Sequence, residues 1–252
     1  AVYINGVYHL FYQYYPDGLI WGPMHWGHAV SRDLISWKHK PIALCPDELG
    51  YIFSGSCVFD TKNVSGLGTA EKLPLIAIYT NHNPQTGEQQ QSIAYSLDFE
   101  HFTKYAGNPV IENRKESENY KADFRDPKIF LNPVKGGFSV VLAAGQKLEF
   151  YHSVDMLCWE KTGEFALEER GFDGICECPD CFPLETKEGV KWILSFSLIS
   201  PEGHVMPYFI GEFDGDTFHA AEGGKEQLLL DYGIDNYAMV SFLHSEEHYL
   251  IG

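Results

Sequence analysis

The sequence is poor in basic residues and has no helical or membrane-spanning pattern, and these absences narrow its fold and its partners. Apolar residues do not recur at helical spacing over any dozen positions, so a helical protein is not predicted. No apolar run reaches the ~18 residues of a transmembrane helix, so no segment is expected to enter a membrane. The chain has 18 Lys and Arg against 35 Asp and Glu, a formal net charge of −17. Nucleic-acid binding, which needs basic patches, is not expected, and the excess acid is assigned to solubility.

Cysteine is scattered rather than arranged as a disulfide framework. The 252 residues include six cysteines, at Cys45, Cys57, Cys158, Cys176, Cys178 and Cys181. In a chain of this length they resemble free thiols of a reducing compartment, so a cytoplasmic location is expected. Secretion stays open, because the sequence starts at Ala1 without a methionine and a signal peptide would lie ahead of it.

One short phrase recurs four times along the chain. Three copies begin with serine, carry aspartate at the third position and end on an aromatic residue, and the fourth is degenerate. The copies are Ser31–Trp37, Ser96–Phe102, Ser153–Trp159 and Gly211–Phe218. They begin 65, 57 and 58 residues apart. A regular period of this size indicates one supersecondary unit laid down repeatedly, with the four aspartates in hairpin turns.

Runs of aromatic and β-branched residues precede each copy, and a fifth run ends the chain. They are Val7–Tyr12, Leu75–Tyr79, Phe138–Leu142, Trp192–Phe196 and Tyr249–Ile251. Their length and composition indicate strands, and repeated small sheets around an axis make a β-propeller. The sequence therefore predicts an all-β fold, a five-bladed β-propeller forming a single domain over residues 1–252. The repeat places the inner strand of the first blade ahead of Ala1, so the domain is expected to be incomplete at both ends.

Polar residues stand at similar offsets before three of these runs, where the inner strands of the blades are expected. Asp126, Glu177 and Asp235 lie 12, 15 and 14 residues before their runs. Because inner strands line the central channel, these carboxylates are predicted to converge, and paired carboxylates among aromatics favour glycoside chemistry. Glu177 suits a general acid, and Arg125 is expected to keep Asp126 ionised. Asp126 and Glu177 as ordinary turn or surface carboxylates are an equally weighted alternative.

Five segments in order strongly resemble glycoside hydrolase family 32, the β-fructofuranosidases that include invertases and sucrose-6-phosphate hydrolases. These are Phe11–Pro16, Trp21–Ser31, Phe53–Ser56, Phe124–Lys128 and Glu177–Asp180. The chain looks most similar to the bacterial sucrose-utilisation enzymes. The resemblance implies a five-bladed propeller followed by a β-sandwich domain, and a retaining mechanism on terminal β-fructofuranosides such as sucrose, sucrose-6-phosphate or a fructo-oligosaccharide.

The resemblance also implies roles for individual residues. Glu177 would be the general acid/base and Asp126 the stabiliser of the transition state. The fructose pocket would be lined by Gln13, Trp21, Phe53, Ser54 and Arg125. Asp235 would either touch substrate or begin a strand. The nucleophile implied by the family is an aspartate expected immediately ahead of Ala1, so residues 1–252 alone are not expected to complete the reaction.

No metal or other cofactor is expected. His25 and His28 are three residues apart on a predicted strand and point to opposite faces. Cys178 and Cys181 have the spacing of a zinc or redox motif, but no second ligand pair and no strand-to-helix context accompany them, so inert thiols are favoured.

Two other functions stay open. A non-catalytic propeller could bind a glycan or a protein through the same channel. Another five-bladed glycosidase, such as an arabinan hydrolase, fits the fold but not the combination of Gln13, Trp21, Phe53 and Ser54.

Overall fold

A computed structural model describes residues 1–172, 174–200, 203–221, 228–233, 235–245 and 247–252. It is built almost entirely of antiparallel strands, with one 3₁₀ turn at Glu168–Arg170. Within these residues no helix is long and apolar enough to span a bilayer.

The strands form four large sheets in chain order. The first contains β1 (Val2–Ile4), β2 (Val7–Tyr14), β3 (His25–Ser31) and β4 (Lys38–Leu44); the second β5 (Tyr51–Phe59), β6 (Leu75–His82), β7 (Gln89–Ser96) and β8 (Thr103–Lys104). The third contains β9 (Arg125–Leu131), β10 (Phe138–Ala143), β11 (Lys147–Ser153) and β12 (Glu160–Ala166). The fourth contains β13 (Ile175–Thr186), β14 (Gly189–Ser200), β15 (Gly203–Val205), β16 (Pro207–Phe213), β17 (Phe218–Ala220) and β18 (Leu228–Leu229).

The predicted propeller arrangement is confirmed, but the prediction of five blades is wrong, because the described residues form four. The fifth aromatic run contributes only β20 (Leu250–Ile251), which pairs with β19 (Val240–Ser241) in a two-stranded sheet. Composition identified a strand there, but one strand does not make a blade. The β-sandwich domain implied by the family resemblance stays a prediction.

The first blade also differs from expectation. Its inner strand was expected ahead of Ala1, yet β1 pairs with β2 in the inner position, Val2 opposite His9. β1 has only three residues, against seven or more in the inner strands of the other blades. The amide of Tyr3 donates to the carbonyl of Leu243 at 2.8 Å, so β1 joins the first blade to the segment after β19.

The recurring phrase forms the same turn in every blade. Each of its aspartates, Asp33, Asp98, Asp155 and Asp214, accepts two backbone amides of its own turn through Oδ1. The residue after each aspartate has a positive φ: Leu34, Phe99, Met156 and Gly215. The fourth copy carries glycine there, the residue best suited to that conformation. The assignment of the aspartates to turns is therefore confirmed.

The core lies between neighbouring blades. One cluster around Trp26, Ile52 and Tyr79 joins the first and second blades. Clusters around Ile78 and Ile129, and around Phe150 and Phe196, join the second to the third and the third to the fourth. Each blade is thus apolar on the faces it presents to its neighbours, and the polar positions are left for the channel.

Buried polar contacts connect the inner strands of neighbouring blades. Ser56 of β5 donates its hydroxyl to the carbonyl of Pro127 at 2.7 Å, joining the second blade to the third. In β9, Lys128 lies 2.9 Å from Asp180 Oδ2 of β13 and donates to the carbonyl of Ser241 at 2.7 Å. The amide of Ser241 in turn donates to Asp180 at 2.6 Å. Lys128 is 4% exposed and Asp180 0%, so this ion pair holds three inner segments together out of water.

Removing one member of the pair should destabilise the fold strongly. Lys128→Met leaves the carboxylate of Asp180 buried without its cation, so we expect the free energy of unfolding in urea to fall by about 3–5 kcal/mol. The double variant Lys128→Met/Asp180→Leu should recover most of this loss. The matched surface pair is Lys135 with Asp216, where Lys135→Met should change stability by about 0–1 kcal/mol. Equal losses at the two lysines would contradict the assigned role.

Candidate active site

Three inner strands carry a β-bulge at or next to the predicted site residues. In each bulge, two residues of the inner strand stand opposite a single residue of the next strand. The bulged pairs are Phe53–Ser54 in β5, Asp126–Pro127 in β9 and Cys178–Pro179 in β13. Asp126 and Cys178 have φ of 62° and 46°, in the left-handed region that non-glycine residues rarely adopt. Because a bulge bends the strand and redirects side chains, these positions turn toward one space.

That space is a cavity of about 780 Å³. Seven of the predicted residues line it: Gln13, Trp21, Phe53, Ser54, Arg125, Asp126 and Glu177. Two of the three carboxyl groups that the repeat predicted to converge, Asp126 and Glu177, therefore share one cavity. The volume is within the range of small-molecule sites, roughly 300–1,000 Å³.

Asp235 is not brought to this cavity. It is exposed, and the wall near it is formed by Tyr237 and Ala238. The prediction that Asp235 touches substrate has no support in this geometry. Tyr237, two residues further along the chain, lines the cavity in place of Asp235.

Arg125 connects the two carboxyl groups. Its Nε donates to Glu177 Oε1 at 3.1 Å and lies 4.0 Å from Asp126 Oδ2. A third carboxylate, Asp123, and the amide oxygen of Gln89 accept from its Nη1. Burial alone would lower the pKa of Arg125, but the carboxylates of Asp126, Glu177 and Asp123 outweigh it and raise the pKa, so the cation is permanent.

Asp126 has a different protonation behaviour from the one expected. The sequence suggested that Arg125 would lower its pKa, whereas burial raises it to about 6. Arg125 and the amide of Cys178, which donates to Oδ2 at 3.0 Å, lower the pKa but do not cancel the loss of hydration. The charge of Glu177 raises it further. Asp126 is therefore mostly ionised at neutral pH and protonated in mild acid.

Glu177 is held from two sides. Arg125 donates to Oε1, and the hydroxyl of Tyr237 donates to Oε2. Burial, followed by the hydrogen bond to Glu177 and then by the charge of Glu177, raises the pKa of Tyr237, so its hydroxyl keeps its proton. Sequence reasoning did not identify Tyr237 as the partner of Glu177. Its only signal was an aromatic hydroxyl in the same segment as Asp235.

Aromatic side chains form another part of the cavity wall. Trp21 is 64% exposed and meets Phe53 edge-on, with ring centroids 6.2 Å apart. Phe53 stacks on His82 at 4.5 Å. Trp26 is 3% exposed and donates its indole N–H to the carbonyl of Phe53 at 2.9 Å. Trp26 therefore packs in the core and holds the bulge that carries Phe53.

The cysteines beside Glu177 are poor nucleophiles. Cys176 and Cys181 are buried and Cys178 lies in the cavity wall, and burial raises the pKa of all three thiols. Among the residues that the structure describes, no three His, Cys, Asp or Glu side chains are placed to share a metal ion.

Two carboxyl groups bridged by Arg125 and several aromatic rings thus line one cavity of the propeller. The model of the glycosyl hydrolases family 32 N-terminal domain matches residues 1–252. The chain belongs to this family, which confirms the resemblance drawn from the five sequence segments.

Individual relatives agree with the family. The chain is 47% identical to a levanase of Bacillus subtilis (strain 168), over 96% of this chain and 36% of the levanase. It is 37% identical to an extracellular exo-inulinase of Aspergillus awamori, over 100% of this chain and 53% of the inulinase. The structure of a Schwanniomyces occidentalis fructofuranosidase complexed with fructose matches with a TM-score of 0.86 and 34% identity, over 97% of this chain and 48% of that one. The chain thus spans about half or less of the length of these relatives.

The thiols near the site should resist alkylation in the native protein. Because burial raises their pKa values, we expect Cys176, Cys178 and Cys181 to stay unmodified by iodoacetamide at pH 8. The exposed Cys45 and Cys158 should be modified under the same conditions. Peptide mass spectrometry after a short exposure measures both groups, with the urea-unfolded protein as the control in which all six react. Rapid modification of Cys178 would show that its thiol is activated.

Proposed function

We propose that the full-length protein, with residues 1–252 supplying most of its active site, hydrolyses terminal β-fructofuranosyl units with retention of configuration. The observation that carries the proposal is the meeting of Asp126 and Glu177 in one aromatic-walled cavity, bridged by Arg125, in a chain of glycosyl hydrolases family 32. Retaining hydrolysis requires an acid/base carboxyl group and a nucleophilic carboxylate on either side of the glycosidic bond, and Glu177 is proposed as the first of these.

Glu177 is proposed as the general acid/base. It donates a proton to the departing oxygen of the aglycone and later accepts one from water. The hydrogen bonds from Arg125 and Tyr237 reach different oxygens of its carboxyl group, so the group has little freedom to rotate. Such fixed orientation is what proton transfer to a bound substrate requires.

Asp126 is proposed as the stabiliser of the transition state. Positive charge grows on the fructose ring as the glycosidic bond breaks, and an ionised, preoriented carboxylate in a site with little water favours that charge. The nucleophile in this mechanism is an aspartate N-terminal to Ala1, as the family resemblance implies. Residues 1–252 alone are therefore proposed to bind the sugar without completing turnover.

The cavity favours uncharged substrates. Arg125 is its only cationic side chain among the described lining residues, and it already bonds to Asp123 and Glu177. A phosphorylated sugar would need a free cation there. The related levanase and exo-inulinase are named for fructan hydrolysis. We therefore propose sucrose and fructans as substrates in preference to sucrose-6-phosphate.

Glu177→Gln tests the proposed acid/base in the full-length protein. We expect kcat for release of fructose from sucrose to fall by about 10²–10⁴-fold, because glutamine cannot transfer the proton. Glu185→Gln is the matched control, since Glu185 is exposed on the same strand. Chromatographic measurement of fructose from sucrose, sucrose-6-phosphate and inulin checks both the role and the substrate order. Turnover by Glu177→Gln close to that of the control would remove Glu177 from this role.

The raised pKa of Asp126 predicts an acid limit to activity. Its folded pKa of about 6 means that protonation removes the carboxylate as the pH falls through 6. We expect kcat/KM to fall about tenfold per pH unit below about 6, because only the ionised form stabilises the transition state. Circular dichroism at each pH separates this loss from unfolding. An unchanged kcat/KM down to pH 4 in folded protein would contradict the role of ionised Asp126.

A further inference from the structure

The backbone of residues 124–126 is held by the second blade at several successive points. The amide of Phe124 donates to Gln89 Oε1 at 2.8 Å, and its carbonyl accepts from Gln91 Nε2 at 2.8 Å. The amide of Asp126 donates to Thr80 Oγ1 at 3.1 Å. The second blade thus holds in place the backbone that leads into the bulge carrying Asp126.

Thr80 and Gln91 act as one unit. They face each other across β6 and β7, and the hydroxyl of Thr80 donates to Gln91 Oε1 at 2.7 Å. Both side chains are fully buried. Because the Thr80 proton is committed to Gln91, the lone pairs of its oxygen are left to accept the amide of Asp126. Gln91 therefore sets the direction of the hydrogen bond that Asp126 receives.

Asp126 needs such a restraint. Its φ of 62° is unfavourable for a residue with a side chain, and such conformations persist only where surrounding contacts over-determine them. The carboxyl group also receives the amide of Cys178 at 3.0 Å, so the residue is held from the second blade at its backbone and from the fourth at its side chain. Losing the backbone hold would let the carboxylate move relative to a bound sugar.

We propose that Thr80 and Gln91 are positioning residues that hold Asp126 in its catalytic orientation through the bulge backbone. They do not touch the cavity and so act only through Asp126. The expected effect on kcat rests on the function proposed above. The expected effect on the backbone of Asp126 does not.

Thr80→Val in the full-length protein tests the role. Valine keeps the shape but removes both the acceptor for Asp126 and the donor to Gln91. We expect kcat on sucrose to fall by about 10- to 100-fold with KM within about threefold, because small displacements of a catalytic group cost rate more than binding. Thr80→Ser should restore kcat to within about threefold of the wild-type value.

Thr162→Val is the matched control. Thr162 donates its hydroxyl to the carbonyl of Asp216 at 2.7 Å, so the change removes another hydrogen bond between blades without reaching the cavity. It should lower the melting temperature and leave kcat unchanged. If Thr80→Val does not fold, Gln91→Met is the second variant. It removes the acceptor that orients the Thr80 hydroxyl and should show the same loss of kcat.

Amide hydrogen exchange supplies a readout that does not depend on the reaction. The amide of Asp126 should exchange at least about tenfold faster in Thr80→Val than in wild type or Thr162→Val. If the Asp126 amide exchanges faster in Thr80→Val and the full-length wild type releases no fructose, the positioning role is supported and the proposed function is rejected. Unchanged exchange together with wild-type kcat in Thr80→Val would overturn the positioning role.

Discussion

The buried ion pair between Lys128 and Asp180 is the contact on which the geometry of the site depends. Two charges removed from water are tolerated only when each has close partners, so the strands that carry them have one acceptable spacing. Lys128 lies two residues after Asp126, and Asp180 lies three residues after Glu177. The requirement to pair the charges therefore fixes the separation of the two functional carboxyl groups, because each is connected to its charge by a short stretch of strand.

The bulges explain how adjacent side chains on one strand reach the same cavity. In a regular strand, neighbouring side chains point to opposite faces, and Arg125 and Asp126 could not both approach Glu177. The positive φ of Asp126 breaks this alternation, and both side chains reach the channel. Conformational strain at one residue thus makes a compact acidic site possible on a sheet whose faces are otherwise committed to packing between blades.

Much of this was accessible from the sequence. The repeat predicted the strands and the turn aspartates, because hairpin turns impose local requirements that are visible within a few residues. The family segments identified seven residues that line the cavity. Only the structure shows that Tyr237, and not Asp235, lines the cavity. The direction of a side chain in an irregular segment depends on contacts distant in sequence. The number of blades was overestimated because a strand can be recognised from composition, whereas its partners cannot.

The protonation of Asp126 shows a similar limit. Adjacent Arg125 suggested a lowered pKa, but sequence adjacency says nothing about hydration, and burial is the larger effect. The buried residue is 7% exposed, a property of the assembled channel rather than of any segment. Tyr237 likewise reaches Glu177 from 60 residues away.

Arg125 then explains how a buried site can change its charge during the proposed reaction. Glu177 alternates between neutral and ionised forms as it gives and takes a proton. A buried guanidinium with Glu177 as its sole partner would lose its counter-charge in one of these forms, at a large cost in free energy. Arg125 also contacts Asp123 and lies near Asp126, so it keeps a carboxylate partner in both forms. Its shared position lets Glu177 change charge without requiring Arg125 to move or water to enter between them.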